Sequence, residues 1–150
     1  MYASIVERQA RAAFEAVNQH DYDAFNKLCV SDVTHRFGGD HALGGTRHTL
    51  AGLRLWFERL GRVMPTLILK VEEVWVKGWP WDTTIILRWT ATAKPLDGGA
   101  YVNHGVHLVG MRWFKVTSID ANEDSQVVAA VLRRQAASGI DEALAPAIET

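Results

Sequence analysis

The chain has 150 residues, of which 48% are apolar and 22% charged, and its formal charge is −1. That length suits one domain with a core of its own, and the composition excludes a disordered chain. A near-neutral chain with no block of Lys or Arg is not expected to bind nucleic acid, whose phosphates supply most of that affinity; no apolar run approaches the roughly 20 residues of a membrane span.

Glu7, Arg8 and Arg11 interrupt the start where a secretion leader would need an apolar stretch. The single cysteine, Cys29, rules out an internal disulfide. A cytoplasmic protein with no membrane partner is the expectation.

Val6, Ala10, Ala13, Phe14 and Val17 recur at helical spacing, so a first helix is predicted to end near Asn18-Gln19-His20. Asp21 suits the N-cap of a short second helix carrying Tyr22, Phe25, Leu28 and Cys29 on one face. A short strand is predicted over Val33 to Phe37, broken by Gly38-Gly39. Thr46 is expected to cap a third helix with Leu50, Leu53, Phe57, Leu60 and Met64 on its apolar face, stopped by Pro65.

From Thr66 the period changes to two. Leu67, Leu69, Val71 and Trp75 alternate with Lys70 and Glu72, and Gly78-Trp79-Pro80-Trp81 makes a turn. Ile85, Leu87, Trp89, Ala91 and Ala93 then share a face, and Pro95-Leu96-Asp97-Gly98-Gly99 marks a hairpin. Strands are predicted over Tyr101 to Trp113 and Lys115 to Asn122, then a helix capped by Asp124 or Ser125. The whole is an α+β domain over residues 1–150, with 138–150 a weakly held tail. A curved antiparallel sheet of four long strands and one short strand is covered by three N-terminal helices and one C-terminal helix.

This order resembles the nuclear-transport-factor-two-like, cystatin-like cone fold, in particular its SnoaL-like group. The resemblance rests on Asn18-Gln19-His20-Asp21, Ser31-Asp32, Ala42 to His48, Trp56 to Leu60, Gly78-Trp79-Pro80-Trp81, Asp97-Gly98, Tyr101 to His107 and Glu123 to Gln126. It implies a cone lined by inward-facing side chains and a homodimer paired through the outer sheet face. The ketosteroid isomerases of this superfamily use a Tyr and an Asp, whose positions here fall at Ala13 and near Phe37, so that chemistry is not expected.

Strand alternation places Asn103, Gly105, His107 and Val109 on one face, and His35 with Phe37 on one face of the first strand. If Val116 points inward, Asp120 and Asn122 do too, with Asp124 as the rival carboxylate. The expected catalytic set is therefore His107, Asp120 and His35, similar in type to the Asp/His arrangement of SnoaL-like cyclases. An imidazole exchanges protons near neutral pH, and a carboxylate beside it orients the ring. Phe37, Trp56, Trp75, Trp89, Asn103 and Asn122 are the expected ligand contacts. No metal motif and no phosphate-cradling glycine motif is present, so neither metal nor cofactor is expected.

The expected partner is a small apolar or aromatic molecule. Two readings stay open: a cofactor-independent isomerase, hydratase or polyketide-cyclase type of enzyme, and a non-catalytic ligand-binding or dimerisation domain.

Overall fold

The computed structural model describes residues 1–150. Helix α1 (Tyr2–Asn18) buries Val6, Phe14 and Val17, the spacing that predicted it. It is followed by α2 (Tyr22–Asn26), whose cap Asp21 accepts from Ala24 N at 3.2 Å. The strands are β1 (Cys29–Phe37), β2 (Gly45–Arg47), β3 (Ile68–Trp79), β4 (Asp82–Ala93), β5 (Tyr101–Arg112) and β6 (Lys115–Glu123). Helix α3 (Leu50–Val63) joins β2 to β3, and α4 (Ser125–Ala137) follows β6. The strands form one curved, unclosed sheet in the order β2-β1-β6-β5-β4-β3, antiparallel except for β1 against β6. Residues of α1, α3 and α4 share the buried apolar core with the sheet.

Three local expectations need correction. Thr49, not Thr46, caps α3, its hydroxyl accepting from Gly52 N at 3.0 Å. Thr46 lies in β2, a three-residue strand too short to show a period. The segment 138–150 makes specific contacts with the body of the domain. Arg59 and Arg62 grip Glu142 at 3.1 and 2.6 Å, and the Arg62 hydrogen bond above all holds its carboxyl down to about 2. Arg47 donates to Ile148 O at 2.7 Å, and the Thr150 hydroxyl accepts from His48 N at 2.9 Å.

The third correction decides the site. In β3 the pair Val71↔Trp89 is followed by Glu73↔Arg88, so Glu72 is an extra residue. In β6 the pair Met111↔Val116 is followed by Gly110↔Ser118, so Thr117 is extra. Each bulge inverts the alternation beyond it. Val74 and Val76 turn toward the core and Trp75 turns out, 44% exposed. Val116, Ile119 and Ala121 are all buried, which sends Asp120 and Asn122 to the outer face.

The β5–β6 turn holds Trp113 and Phe114 at φ 49° and 65°. Bulky L-residues rarely take this conformation, which Asn tolerates. Phe114 packs edge-on against Tyr2 at 5.6 Å, whereas Trp113 is 66% exposed. Trp113→Asn is therefore expected to stabilise the fold by about 0.5–1 kcal/mol, read as a higher midpoint in thermal unfolding.

Candidate functional site

The hollow side of the sheet and the helices enclose a cavity of about 100 Å³. Of its 27 lining residues 24 are hydrophobic, and the others are Gln9, His35 and His107. Helices α1 and α3 supply Phe14, Trp56 and Phe57, and the strands supply Phe37, Trp89, Tyr101 and Val109. A space of this lining favours an apolar occupant, because it offers little to replace a polar molecule's hydration.

His35 lies on β1 and His107 on β5, with β6 between them. His35 is level with Ile119 and His107 with Ala121, so the rings are offset by two residues along the strands. His35 Nδ1 accepts from Arg47 Nε at 3.0 Å, and the ring packs edge-on against Trp56 at 4.5 Å. His107 Nδ1 accepts from the Trp89 indole N–H at 2.6 Å, and Phe14 packs edge-on against it at 5.2 Å. Both donors carry permanent hydrogens. Each neutral ring must therefore hold its own proton on Nε2. Both rings line the cavity, and the hydrogen bond each makes within the protein is at Nδ1, not at Nε2.

Burial lowers the His107 pKa to about 4, against which the Asp120 charge works weakly from the other side of the sheet. Burial, then the Arg47 charge and then His107, hold His35 well below its ordinary value. Both imidazoles are neutral at physiological pH.

The remaining expected residues divide. Phe37, Trp56 and Trp89 line the cavity. Trp56 also donates its indole N–H to Leu43 O at 2.8 Å, which fixes it as wall. Asn103 is on the buried face, but its amide bonds Tyr101, His104 and Asp124, tying β5 to the start of α4. Trp75 and Asn122 lie on the outer face and cannot touch a ligand in the cavity.

Asp120 pairs with Arg36 across the outer face, away from His107. The rival Asp124 caps α4, accepting from Gln126 N at 3.1 Å and Val127 N at 3.3 Å. Neither carboxylate reaches the cavity, so the expected His–Asp pair does not form. The bulge at Thr117 is the cause: it breaks the alternation on which the pairing was reasoned.

Sequence reasoning missed two participants, Arg47 and Tyr101, and one buried carboxylate outside the cavity lining, Glu123. Arg47 is fully buried and holds His35. Set beside Gly44-Gly45, it carries the signal of a solvated loop residue. Tyr101 lines the cavity, and its phenol oxygen accepts from Asn103 Nδ2 at 3.2 Å, leaving its own O–H free to donate. Glu123 ends β6 with both carboxylate oxygens buried and unpartnered beside Gly38; burial raises its pKa to about 7.

A helix-roofed, open curved sheet of this kind is an α+β fold of the cystatin-like type. The SnoaL-like domain family matches residues 10–119, and the chain belongs to it. No curated protein matches the sequence. Among solved structures, the chain is similar to TerC co-crystallised with polyporic acid, at 19% identity and TM-score 0.72, covering 84% of this chain and 96% of that one. It is also similar to Bal32a from a soil-derived mobile gene cassette, at 15% identity and TM-score 0.72, with coverage of 83% and 92%. A third is a protein named as a polyketide cyclase from Xanthomonas campestris pv. campestris, at 16% identity and TM-score 0.58, with coverage of 81% and 91%. At these identities the likeness is one of fold.

Proposed function

We propose that this chain binds a small, largely apolar molecule in the cone cavity, with His35 and His107 contacting its polar end. The observation that carries the reading is a lining hydrophobic at 24 of 27 positions and interrupted by two histidines whose hydrogen bonds within the protein are at Nδ1, not at Nε2. The narrower reading is a cofactor-independent enzyme of the isomerase, hydratase or polyketide-cyclase type. Membership of the SnoaL-like domain family and fold likeness to a protein named as a polyketide cyclase support it. A non-catalytic binding domain is the alternative. It is favoured by one observation, that Asp120 pairs with Arg36 outside and leaves His107 without a carboxylate partner.

We place the homodimer contact on the outer sheet face, where Trp75, Val102 and Leu108 are 44%, 53% and 42% exposed. A reducing compartment suits the lone, buried Cys29, whose thiol is pushed up to about 11 by burial.

Two variants test the site. Ala13→Phe projects a ring into the cavity from α1 and is expected to abolish binding in a screen of small aromatic molecules read by native mass spectrometry. Asp120→Asn removes only an exposed pair, so binding should be unchanged and stability should shift by less than about 1 kcal/mol. Ligands that bind the Ala13→Phe protein as tightly as the wild type would place the site elsewhere. Turnover assays on the hits, with His107→Phe as the control, separate enzyme from binder.

A further inference from the structure

The two cavity histidines have a polarity that their neighbours decide. An imidazole can present either a lone pair or an N–H to a ligand, depending on which nitrogen holds the proton. Here Arg47 Nε and the Trp89 indole, which cannot accept, each occupy an Nδ1, at 3.0 and 2.6 Å. Both rings therefore turn an N–H, not a lone pair, toward the cavity. Tyr101 adds a donor of the same sense, since its oxygen already accepts from Asn103 Nδ2. Gln9 also carries an acceptor, and its amide nitrogen is directed to Phe114 O at the β5–β6 turn.

We propose that His35 and His107 act as a pair of neutral N–H donors, not as a base with its partner. The ligand they select is an apolar molecule carrying a carbonyl-type acceptor oxygen. This rests on the reading of the cavity as the ligand site. A ring acting as base through Nε2 would have to move its proton to Nδ1, against the Arg47 or Trp89 hydrogen. The same arrangement suits an electrophilic role: a fixed N–H in a dry site binds a carbonyl oxygen and holds its enolate more strongly. An alkane or arene of the same shape leaves both donors desolvated and unpaired, which is the larger source of discrimination. Trp89 and Arg47 are positioning residues in this scheme, since they touch the rings and not the ligand.

The test has two independent arms. In the first, long-range ¹H–¹⁵N spectra of the ligand-free protein at neutral pH, assigned with His35→Phe and His107→Phe, should show both rings neutral with the proton on Nε2. Either ring found charged or protonated on Nδ1 would overturn the proposal. Trp89→Phe keeps the ring stack but deletes the N–H, and should let His107 populate the Nδ1–H form, a signature that a purely packing role for Trp89 would not produce.

The second arm compares acetophenone with ethylbenzene, which share shape and differ in the oxygen. The ketone should bind roughly tenfold tighter, with its carbonyl stretch lowered. His107→Phe should lose most of that preference while still binding ethylbenzene. Equal affinities in the wild type would overturn the acceptor assignment and leave the cavity reading standing. If neither probe bound, the cavity reading would be the one to fail, and the tautomer spectra would still decide the donor assignment.

Discussion

Replacing Arg47 with Ala is expected to destabilise the protein by roughly 2–5 kcal/mol. Arg47 is completely buried and makes no ion pair within bonding distance. Its guanidinium donates instead to His35 Nδ1, Gly44 O, Gly45 O and Ile148 O, at 2.7–3.0 Å. Burial lowers its pKa to about 10, with the Glu149 charge working the other way. Truncation leaves four acceptors without donors and a void beside Trp56, over whose ring the guanidinium sits at 5.7 Å. Lysine cannot reproduce the planar fork, so Arg47→Lys should recover only part of the loss. Urea unfolding measures the change, and amide exchange should show residues near Ile148 opening first. A loss under about 1 kcal/mol would mean that the tail and β2 hold themselves, and that Arg47 is incidental.

Acid should weaken the fold through the same two histidines. The unfolded chain takes up a proton on each ring near 6.5, whereas native His107 refuses it down to about 4. Within that window the unfolded state binds more protons, so stability is lost as pH is lowered, by on the order of 3 kcal/mol in all for His107. His35 contributes in the same direction, because its native value is also depressed. Glu123 opposes them. Its native pKa is raised to about 7 from the ordinary 4.5, so its contribution is present below 4.5 and lost as pH rises through 7. Between 4.5 and 6.5 Glu123 offsets the contribution of His107, and His35 adds to the loss in acid; from 4.5 down to about 4 His107 acts without that offset. A pH series of urea unfolding should show this limb. The double variant His107→Phe with Trp89→Phe, which removes the ring without stranding the indole N–H, should flatten it by about one proton. An unchanged limb would mean that His107 titrates alike in both states.

The helices and most of the sheet were legible because each buries one face, and burial of one face imposes a period on the residues. Leu53, Phe57 and Leu60 repeat at helical steps on α3; Ile85, Leu87, Trp89 and Ala91 alternate on β4, and all of these are buried. Caps were legible where a short polar side chain precedes an apolar run, as at Asp21 and Asp124. The same logic placed His35, Phe37 and His107 on inward faces, since no bulge intervenes within the stretches used.

Where the alternation is interrupted, the reading inverted. Thr117 and Glu72 are extra residues only by comparison with the strands they pair with, and pairing is a relation between distant segments. No local feature of Lys115 to Glu123 distinguishes an inward Asp120 from an outward one. Arg47 and the Trp89 indole are the other case. Their importance lies in what they meet, an imidazole 12 residues away in one pair and 18 in the other. The order of residues thus determined which segments would bury which faces, because hydrophobic burial acts on each segment's own pattern. The register between strands decided which carboxylates left the cavity, and the donors met across it decided which nitrogen of each histidine faces inward, because hydrogen bonds depend on positions that only the folded chain brings together.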